Sequence, residues 1–226
     1  MSIMKLSDSL YSIARPLWDV ASEKKFLAQM ADGTLSQELF KNYMIQDYLY
    51  LKEYIDILNK ILKLAEDDEL KTHLKDIINE VEKEIYAVHI PTMKGLGVDA
   101  SEADGCKQEK AFADYIKYMN SSLEEHGLRA GITSLLQCSW NYAYVAKKVS
   151  DKYADTLEAS PYKSWFDAYT GPEYNEANQL WIDTLDKETE DIDEAEKEKL
   201  CNIFKKCAEF ENGLWDALAK GPQSVI

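Results

Sequence analysis

The chain has 226 residues, which is enough to bury a substantial core, and it carries 41 acidic against 26 basic residues for a formal net charge of -15. This charge repels phosphate backbones and anionic membrane surfaces, so we expect neither nucleic acid nor a membrane as a partner. No apolar run approaches the roughly 20 residues that span a bilayer, and we expect a soluble protein.

The four cysteines, Cys106, Cys138, Cys201 and Cys207, show no CxxC spacing. The sequence begins Met-Ser-Ile-Met-Lys and lacks a long apolar run followed by a small-residue cleavage site. We therefore expect a cytoplasmic protein with reduced thiols. Because no Ser/Gly/Pro-rich linker divides the chain, we expect residues 1–226 to form one domain.

Apolar residues recur at helical spacing along the chain, which predicts an all-α fold, a single-domain bundle of about eight helices. The first helix is predicted over residues 7–30, with a kink at Pro16 and an end at the Asp32-Gly33 turn. Ser36 is the predicted N-cap of a long second helix.

A third helix is predicted from Asp67-Asp68 to Met93, with Pro91 marking a kink or a break. Gly171-Pro172 is predicted to stop a short helix that begins near Pro161. The remaining predicted segments are a loop at 95–105 and helices at 109–125, 127–153, 173–186 and 193–219.

The three histidines are candidate metal ligands, because helical di-metal carboxylate centres need Glu-x-x-His pairs. The residues three before His73, His89 and His126 are Leu70, Tyr86 and Leu123. This spacing argues against a di-iron centre, and each histidine is interpreted as a surface or satisfied core residue. Spacing alone leaves haem ligation by one histidine open.

Cys138 lies in an aromatic helical stretch and shares one helical face with Ser134 and Tyr142 at four-residue spacing. A thiol and a phenol on one wall of a pocket form a candidate nucleophile with a polar neighbour. The alternative is a buried cysteine that serves as a small hydrophobic residue.

Two acids occupy faces that the pattern predicts to be inward. Asp47 shares a face of the second helix with Tyr50 and Tyr54, and it is either a site residue or a structural acid held by tyrosine hydroxyls. Glu211 lies one turn before Trp215 on an inward stripe of the last helix.

Taken together, these segments resemble the TenA/thiaminase II family over nearly the whole chain. Cys138 is typical of the cysteine-bearing branch of that family. The matching residues, in chain order, are Asp32-Gly33-Thr34-Leu35, Gln46-Asp47-Tyr48-Leu49-Tyr50-Leu51, Tyr115, Tyr118-Met119, Gln137-Cys138-Ser139-Trp140, Tyr142, Trp165, Tyr169, Glu211 and Trp215-Asp216.

The resemblance implies a haem-oxygenase-like helical fold, a homotetramer and an enzyme of thiamin salvage that needs no metal or organic cofactor. It implies that Cys138 is the nucleophile, that Glu211 is the acid/base and that Asp47 binds the aminopyrimidine. The implied substrate is 4-amino-5-aminomethyl-2-methylpyrimidine, hydrolysed to the hydroxymethyl pyrimidine and ammonia, with thiamin cleavage as a second activity. The residues that correspond to the family's pocket tyrosines are Tyr50, Tyr54, Tyr115, Tyr142 and Tyr169.

Two alternative functions are open: a non-catalytic pyrimidine-binding, thiamin-binding or regulatory protein, and an oxidase-like or haem-binding relative. The joint presence of Cys138, Glu211 and Asp47 favours the enzyme over a binding protein, because binding alone needs no nucleophile.

Two departures from the family pattern predict local differences. Asn212-Gly213-Leu214 is smaller than the aromatic residues that often follow the glutamate, which predicts an altered pocket wall, and Ile90-Pro91 predicts a different end to the third helix.

Overall fold

A computed structural model describes residues 5–222 of the chain. Every regular element in this range is helical, with twelve α-helices and one π-helical turn. The all-α prediction is confirmed, although about eight helices was too few because several predicted segments are divided. Within the same range, no helix combines the length and apolar character needed to cross a membrane. The predicted domain over 1–226 also includes residues 1–4 and 223–226, which lie outside the described residues.

The helices form two compact units. Of the described residues, unit 1 comprises those up to Leu35 together with Ile132–Ala219, and unit 2 comprises Ser36–Gly131 together with those from Lys220 onward. Unit 1 contains α1 (Leu6–Ser22), α2 (Lys25–Asp32), most of α8 (Leu128–Lys152), α9 (Ala154–Leu157), α10 (Lys163–Thr170), α11 (Pro172–Glu188) and α12 (Glu194–Leu218). Unit 2 contains α3 (Gln37–Leu64), α4 (Asp68–Glu84), the π-helical turn (Ile85–His89), α5 (Ile90–Gly95), α6 (Ala100–Asp104), α7 (Lys110–His126) and the start of α8.

The core of unit 1 forms where α1 packs along α12. Trp18 of α1 is fully buried, and its ring centroid lies 5.4 Å from that of Trp140 and 5.9 Å from that of Phe204. The start of α1 is fastened to α11, because Asp186 accepts hydrogen bonds from the backbone N–H of Ser7 at 2.9 Å and from its hydroxyl at 2.7 Å. Aromatic packing and a buried carboxylate thus fix the position of α1.

The first predicted helix is two helices, so the expectation of a single helix over 7–30 was wrong. Pro16 lies inside α1 without ending it. The break falls at Lys24, which has an extended backbone and precedes α2. After this change of direction, α2 buries the side chains of Phe26, Leu27 and Met30 in the core. Gly33 ends α2 with a φ of 76°, a left-handed conformation that glycine adopts at low cost, which confirms the predicted turn.

The long helix α3 is the central element of unit 2 and packs against α4 and α7. Its predicted N-cap is confirmed, because the Ser36 hydroxyl accepts a hydrogen bond from the backbone N–H of Leu39 at 3.3 Å. The first turn of α8 comes very close to this helix and to α7. A Cβ atom added at Gly131 would lie 2.7 Å from Leu123 Cδ1 and 3.0 Å from Ile61 Cδ1. Only glycine fits there without a shift of its neighbours.

The third predicted helix runs past Pro91 in three parts: α4, the π-helical turn and α5. Pro91 cannot donate a helical hydrogen bond, and its ring crowds the carbonyl of Ala87 one turn earlier. The wider π-helical turn over Ile85–His89 accommodates this crowding, so the helix bulges before Pro91 and then continues to Gly95. The predicted irregularity at Pro91 is present, and the helix ends only two residues beyond the expected Met93.

Two short helices were not predicted. The expected loop over 95–105 contains α6, which has a capping box in which Glu102 accepts a hydrogen bond from the backbone N–H of Asp99 at 2.8 Å. The helix expected over 127–153 is followed directly by α9. At Gly171-Pro172 the predicted stop is confirmed, because Gly171 separates α10 from α11 and Pro172 occupies the first turn of α11.

Candidate active site

Asp47 and His89 form a buried pair in unit 2. Asp47 lies within α3 with a residue exposure of 3%, and His89 ends the π-helical turn with an exposure of 2%. The Nε2 atom of His89 lies 2.8 Å from Oδ2 of Asp47, and the hydroxyl of Tyr43 donates to the same oxygen at 3.2 Å. A carboxylate buried to this degree is costly unless it accepts such hydrogen bonds.

Both ring nitrogens of His89 face hydrogen-bond acceptors, because Nδ1 lies 3.4 Å from the backbone carbonyl oxygen of Glu84. The doubly protonated imidazolium can donate to both at once. Burial lowers the pKa of the His89 imidazole, but its hydrogen bond to Asp47 and the negative charges of Asp47 and Glu84 outweigh this effect and leave the pKa above its ordinary value of 6.5. The geometry and the pKa both favour a buried ion pair between His89 and Asp47.

Three of the predicted pocket tyrosines lie together in unit 2, next to Asp47 along α3. The ring centroid of Tyr50 lies 6.0 Å from that of Tyr54 and 5.9 Å from that of Tyr115 on α7. All three side chains are buried. Unit 2 therefore combines a buried, hydrogen-bonded carboxyl group with a wall of phenol rings, which suits a flat polar ring that carries hydrogen-bond donors.

Cys138 lies on α8 in unit 1, where only 9% of the residue is exposed. One turn later, the ring of Tyr142 contacts Tyr169 of α10 at 5.0 Å and Trp165 at 5.9 Å between centroids. The two remaining pocket tyrosines therefore touch each other beside the turn that carries the thiol. All four cysteines lie within the described residues, and no disulfide joins any two of them.

Glu211 lies on α12, also in unit 1, with an exposure of 1%. One turn later, Trp215 packs its indole against Tyr142 at 5.6 Å between ring centroids. Each helix of this contact therefore carries a predicted catalytic residue one turn before its aromatic residue: Cys138 on α8 and Glu211 on α12. A nearly buried carboxyl in aromatic surroundings is an environment in which proteins place general acids.

The residues after Glu211 have specific environments. Asn212 donates a hydrogen bond from Nδ2 to the backbone carbonyl of Leu17 at 3.0 Å and so ties α12 to α1. Gly213 is exposed, and among the described atoms none lies within 4 Å of a Cβ built there. Of this segment only Leu214 is buried. The predicted change in the pocket wall therefore remains a prediction, and Leu214 is the residue of this segment that can cause it.

The pairing of His89 with Asp47 was not predicted from the sequence. Core burial of His89 agrees with its interpretation as a satisfied core residue. A Glu-x-x-His pattern is confined to one helix, whereas the partner of His89 lies 42 residues earlier on α3. Tyr43 was missed as well, although it lies four residues before Asp47 on the same helix face. In the described part of the chain, no group of three or more His, Cys, Asp or Glu side chains is placed to hold a metal ion.

The helical fold and these buried acid and thiol positions define a class of protein. The sequence model of the TENA/THI-4/PQQC family matches residues 11–220, and the chain belongs to this family. The aminopyrimidine aminohydrolase of Halalkalibacterium halodurans is 26% identical over 213 residues, which cover 94% of this chain and 95% of the relative. The family predicted from the sequence is thus confirmed.

Solved structures agree on the fold. The TenA homologue protein from P. horikoshii OT3 matches with a TM-score of 0.86 and 24% identity over 97% of this chain and 100% of that chain. A domain of unknown function with a heme oxygenase-like fold from Shewanella denitrificans OS217 matches with a TM-score of 0.73 and 15% identity over 97% of this chain and 94% of that chain. The predicted haem-oxygenase-like fold is confirmed.

Proposed function

We propose that the protein is a hydrolase of thiamin salvage that converts 4-amino-5-aminomethyl-2-methylpyrimidine to 4-amino-5-hydroxymethyl-2-methylpyrimidine and ammonia. The observation that carries the proposal is the placement of Cys138 and Glu211 one turn from the Tyr142–Trp215 contact in unit 1. Family membership supports it, as does the name of the relative from H. halodurans.

The proposed chemistry begins at the thiolate of Cys138, which adds to the pyrimidine ring carbon next to the one that bears the aminomethyl group. Glu211 protonates a ring nitrogen as the carbon–sulfur bond forms. The aminomethyl group is protonated at neutral pH, and the ring electrons expel its nitrogen from the methylene as ammonia. Water adds to the resulting exocyclic methylene and releases a proton to solvent. The ring nitrogen then returns its proton to Glu211, and the thiolate leaves as the ring regains aromaticity.

Asp47 has a binding role in this proposal. Its carboxylate accepts a hydrogen bond from the exocyclic amine of the pyrimidine. Tyr50, Tyr54 and Tyr115 present aromatic faces and hydroxyl groups in the same unit, and Tyr142 and Tyr169 do so beside Cys138. Thiamin carries the same aminopyrimidine on a methylene, so slow cleavage of thiamin is part of the proposal.

The test incubates the purified protein with the aminomethyl pyrimidine and, separately, with thiamin, and it follows each compound by chromatography with an ammonia assay on the first. We expect fast loss of the aminomethyl pyrimidine and slow loss of thiamin. Faster loss of thiamin would make the protein a thiaminase, and loss of neither would favour the non-catalytic binding alternative.

A Cys138→Ser variant tests the covalent step. Hydrolysis should collapse while affinity for the pyrimidine product survives, because the hydroxyl of serine is a poor nucleophile at neutral pH. A Cys201→Ser variant is the matched control, since Cys201 is buried to the same 9% on a different helix, α12. Full turnover in Cys138→Ser would refute the cysteine adduct.

We also infer that residues 1–226 act as one domain, in a cytoplasmic homotetramer. The family match supports the first point, since a single family model covers residues 11–220. The tetramer and the compartment rest on the family resemblance. Light scattering coupled to size-exclusion chromatography should give four times the chain mass of 25.9 kDa, and a monomer would contradict the tetramer.

A further inference from the structure

The two oxygens of Asp47 have different surroundings. Among the described residues, both hydrogen bonds to this carboxylate, from His89 and from Tyr43, end on Oδ2. Oδ1 therefore keeps its lone pairs for another donor. A carboxylate held through one oxygen can present the other in a fixed direction, which is what recognition of a planar amino group requires.

The ring of His89 is fixed from both ends. Nδ1 faces the carbonyl oxygen of Glu84, where α4 ends, and Nε2 faces Oδ2 of Asp47 on α3. The residue itself closes the π-helical turn, an irregularity that proteins often use at functional sites. His89 thus bridges two helices and leaves the imidazole little freedom to turn away from the carboxylate.

Stability alone does not account for a buried ion pair at this position. Taking both charges out of water is costly, and an apolar pair of similar volume is often as stable or more stable. Asp47 and His89 are almost fully buried, and the tyrosine cluster continues along the same helix. A charged pair in such a place is better explained by a binding function.

We propose that His89 is a positioning residue, which holds Asp47 through Oδ2 so that Oδ1 receives the exocyclic amine of an aminopyrimidine. This inference rests on the proposed function. His89 itself does not touch the substrate. Its effect is on how strongly the site prefers a pyrimidine that carries the 4-amino group over one that lacks it.

The test measures binding of two ligands by calorimetry: 4-amino-5-hydroxymethyl-2-methylpyrimidine and the same compound without its 4-amino group. In His89→Leu, affinity for the amino compound should fall about tenfold or more, as expected for a hydrogen bond to a charged group, while affinity for the other compound changes little. His89→Gln should restore part of the preference, because its side-chain amide can donate to Oδ2.

Two further variants separate positioning from general damage. In an Asp47→Asn background, His89→Leu should cause no additional loss of preference, because the two residues act as one unit. His73→Leu is the matched control. It removes another buried histidine from the same unit, on α4, and should leave the preference unchanged.

Equal loss of affinity for both ligands in a folded His89→Leu variant would overturn the inference, as would an additive loss in the Asp47→Asn background. If His89→Leu does not fold, His89→Gln gives the answer: a preference between those of wild type and Asp47→Asn supports the role, and a preference equal to that of wild type overturns it. A wild-type protein that neither binds nor consumes the pyrimidine would overturn the proposed function as well. Wild-type turnover with an unchanged preference in His89→Leu would overturn the positioning role alone.

Discussion

Tyr142 of α8 and Trp215 of α12 meet at 5.6 Å between ring centroids, and each follows by one helical turn a residue of proposed catalytic use. The contact fixes the two helices at the point where Cys138 and Glu211 need stable positions. Aromatic contacts of this kind contribute about 0.5–1.5 kcal/mol beyond the area they bury.

Glu211→Gln keeps the size of the side chain but removes its capacity to transfer a proton. We expect kcat to fall about a hundredfold or more, with a smaller change in affinity for the pyrimidine, because the acid is needed during ring protonation. Steady-state kinetics with the aminomethyl pyrimidine provide the measurement. Glu209→Gln, on the same helix but in a surface ion pair with Lys206, is the control and should retain full activity. Undiminished turnover in Glu211→Gln would remove Glu211 from the mechanism.

The stability of the protein should depend on the proton of His89. Its folded-state pKa lies above 6.5, so the folded chain holds this proton more tightly than the unfolded chain does. The resulting stabilisation is fully present below pH 6.5 and is lost as the pH rises through the folded-state pKa. The groups that act on the imidazole are Asp47 on α3 and Glu84 at the end of α4, and Tyr43 donates to the same oxygen of Asp47.

Urea unfolding of wild type and His89→Gln on both sides of pH 6.5 gives the measurement. The difference between their unfolding free energies should be largest at the acidic end and should shrink as the pH rises. Replacing Asp47 by Asn should remove most of this pH dependence. A difference that grows with pH would show that His89 is neutral in the folded protein.

Asp186 should be important for the stability of unit 1. Asp186→Ala leaves the backbone N–H and the hydroxyl of Ser7 without their acceptor in a buried place, which costs about 1–3 kcal/mol. The exposed Asp183 of the same helix, α11, supplies the control, because Asp183→Ala should change stability by less than about 0.5 kcal/mol. Chemical denaturation measures both. Equal stability of the two variants would contradict the anchoring role of Asp186.

Two helical glycines should respond oppositely to alanine. Gly213→Ala gains up to about 1 kcal/mol of helix propensity, because the added methyl group meets only open space. Gly131→Ala forces Leu123 and Ile61 to move in a packed core, which costs about 1–3 kcal/mol and outweighs the same gain. Thermal unfolding should therefore rank Gly213→Ala above wild type and Gly131→Ala below it. The reverse ranking would mean that the core near Gly131 is loosely packed.

Local signals predicted many helix ends well. A glycine that must adopt positive φ and a serine that caps the next helix are both visible in the sequence, and both Gly33 and Ser36 act as predicted. The break at Lys24 has no such signal, because it arises from the packing of α2 and not from any residue that disfavours a helix. The helical period of apolar residues predicted the long helical segments. The points at which these segments break into separate helices depend on tertiary packing.

The candidate site was predictable to the extent that its residues share a helix. Tyr50 and Tyr54 touch because they are four residues apart, which the sequence shows directly. Tyr115 and His89 reach α3 from other helices, and their approach depends on how those helices pack. The family resemblance identified Tyr115 as a pocket residue without knowledge of this packing. No pattern in the sequence near His89 indicated its contact with Asp47.

The position of His89 depends on the number of residues in the π-helical turn. Such a turn contains one residue more than an α-helical path between the same ends. Deleting a single residue from Ile85–His89 would restore an α-helical path between the same ends and would remove one of the side-chain positions that the wider turn provides. A relative without the extra residue should therefore show a one-residue gap here in an alignment and should lack a histidine opposite the aspartate of α3. That gap would sort family members into those whose aspartate is held by an imidazole and those that satisfy it by other means.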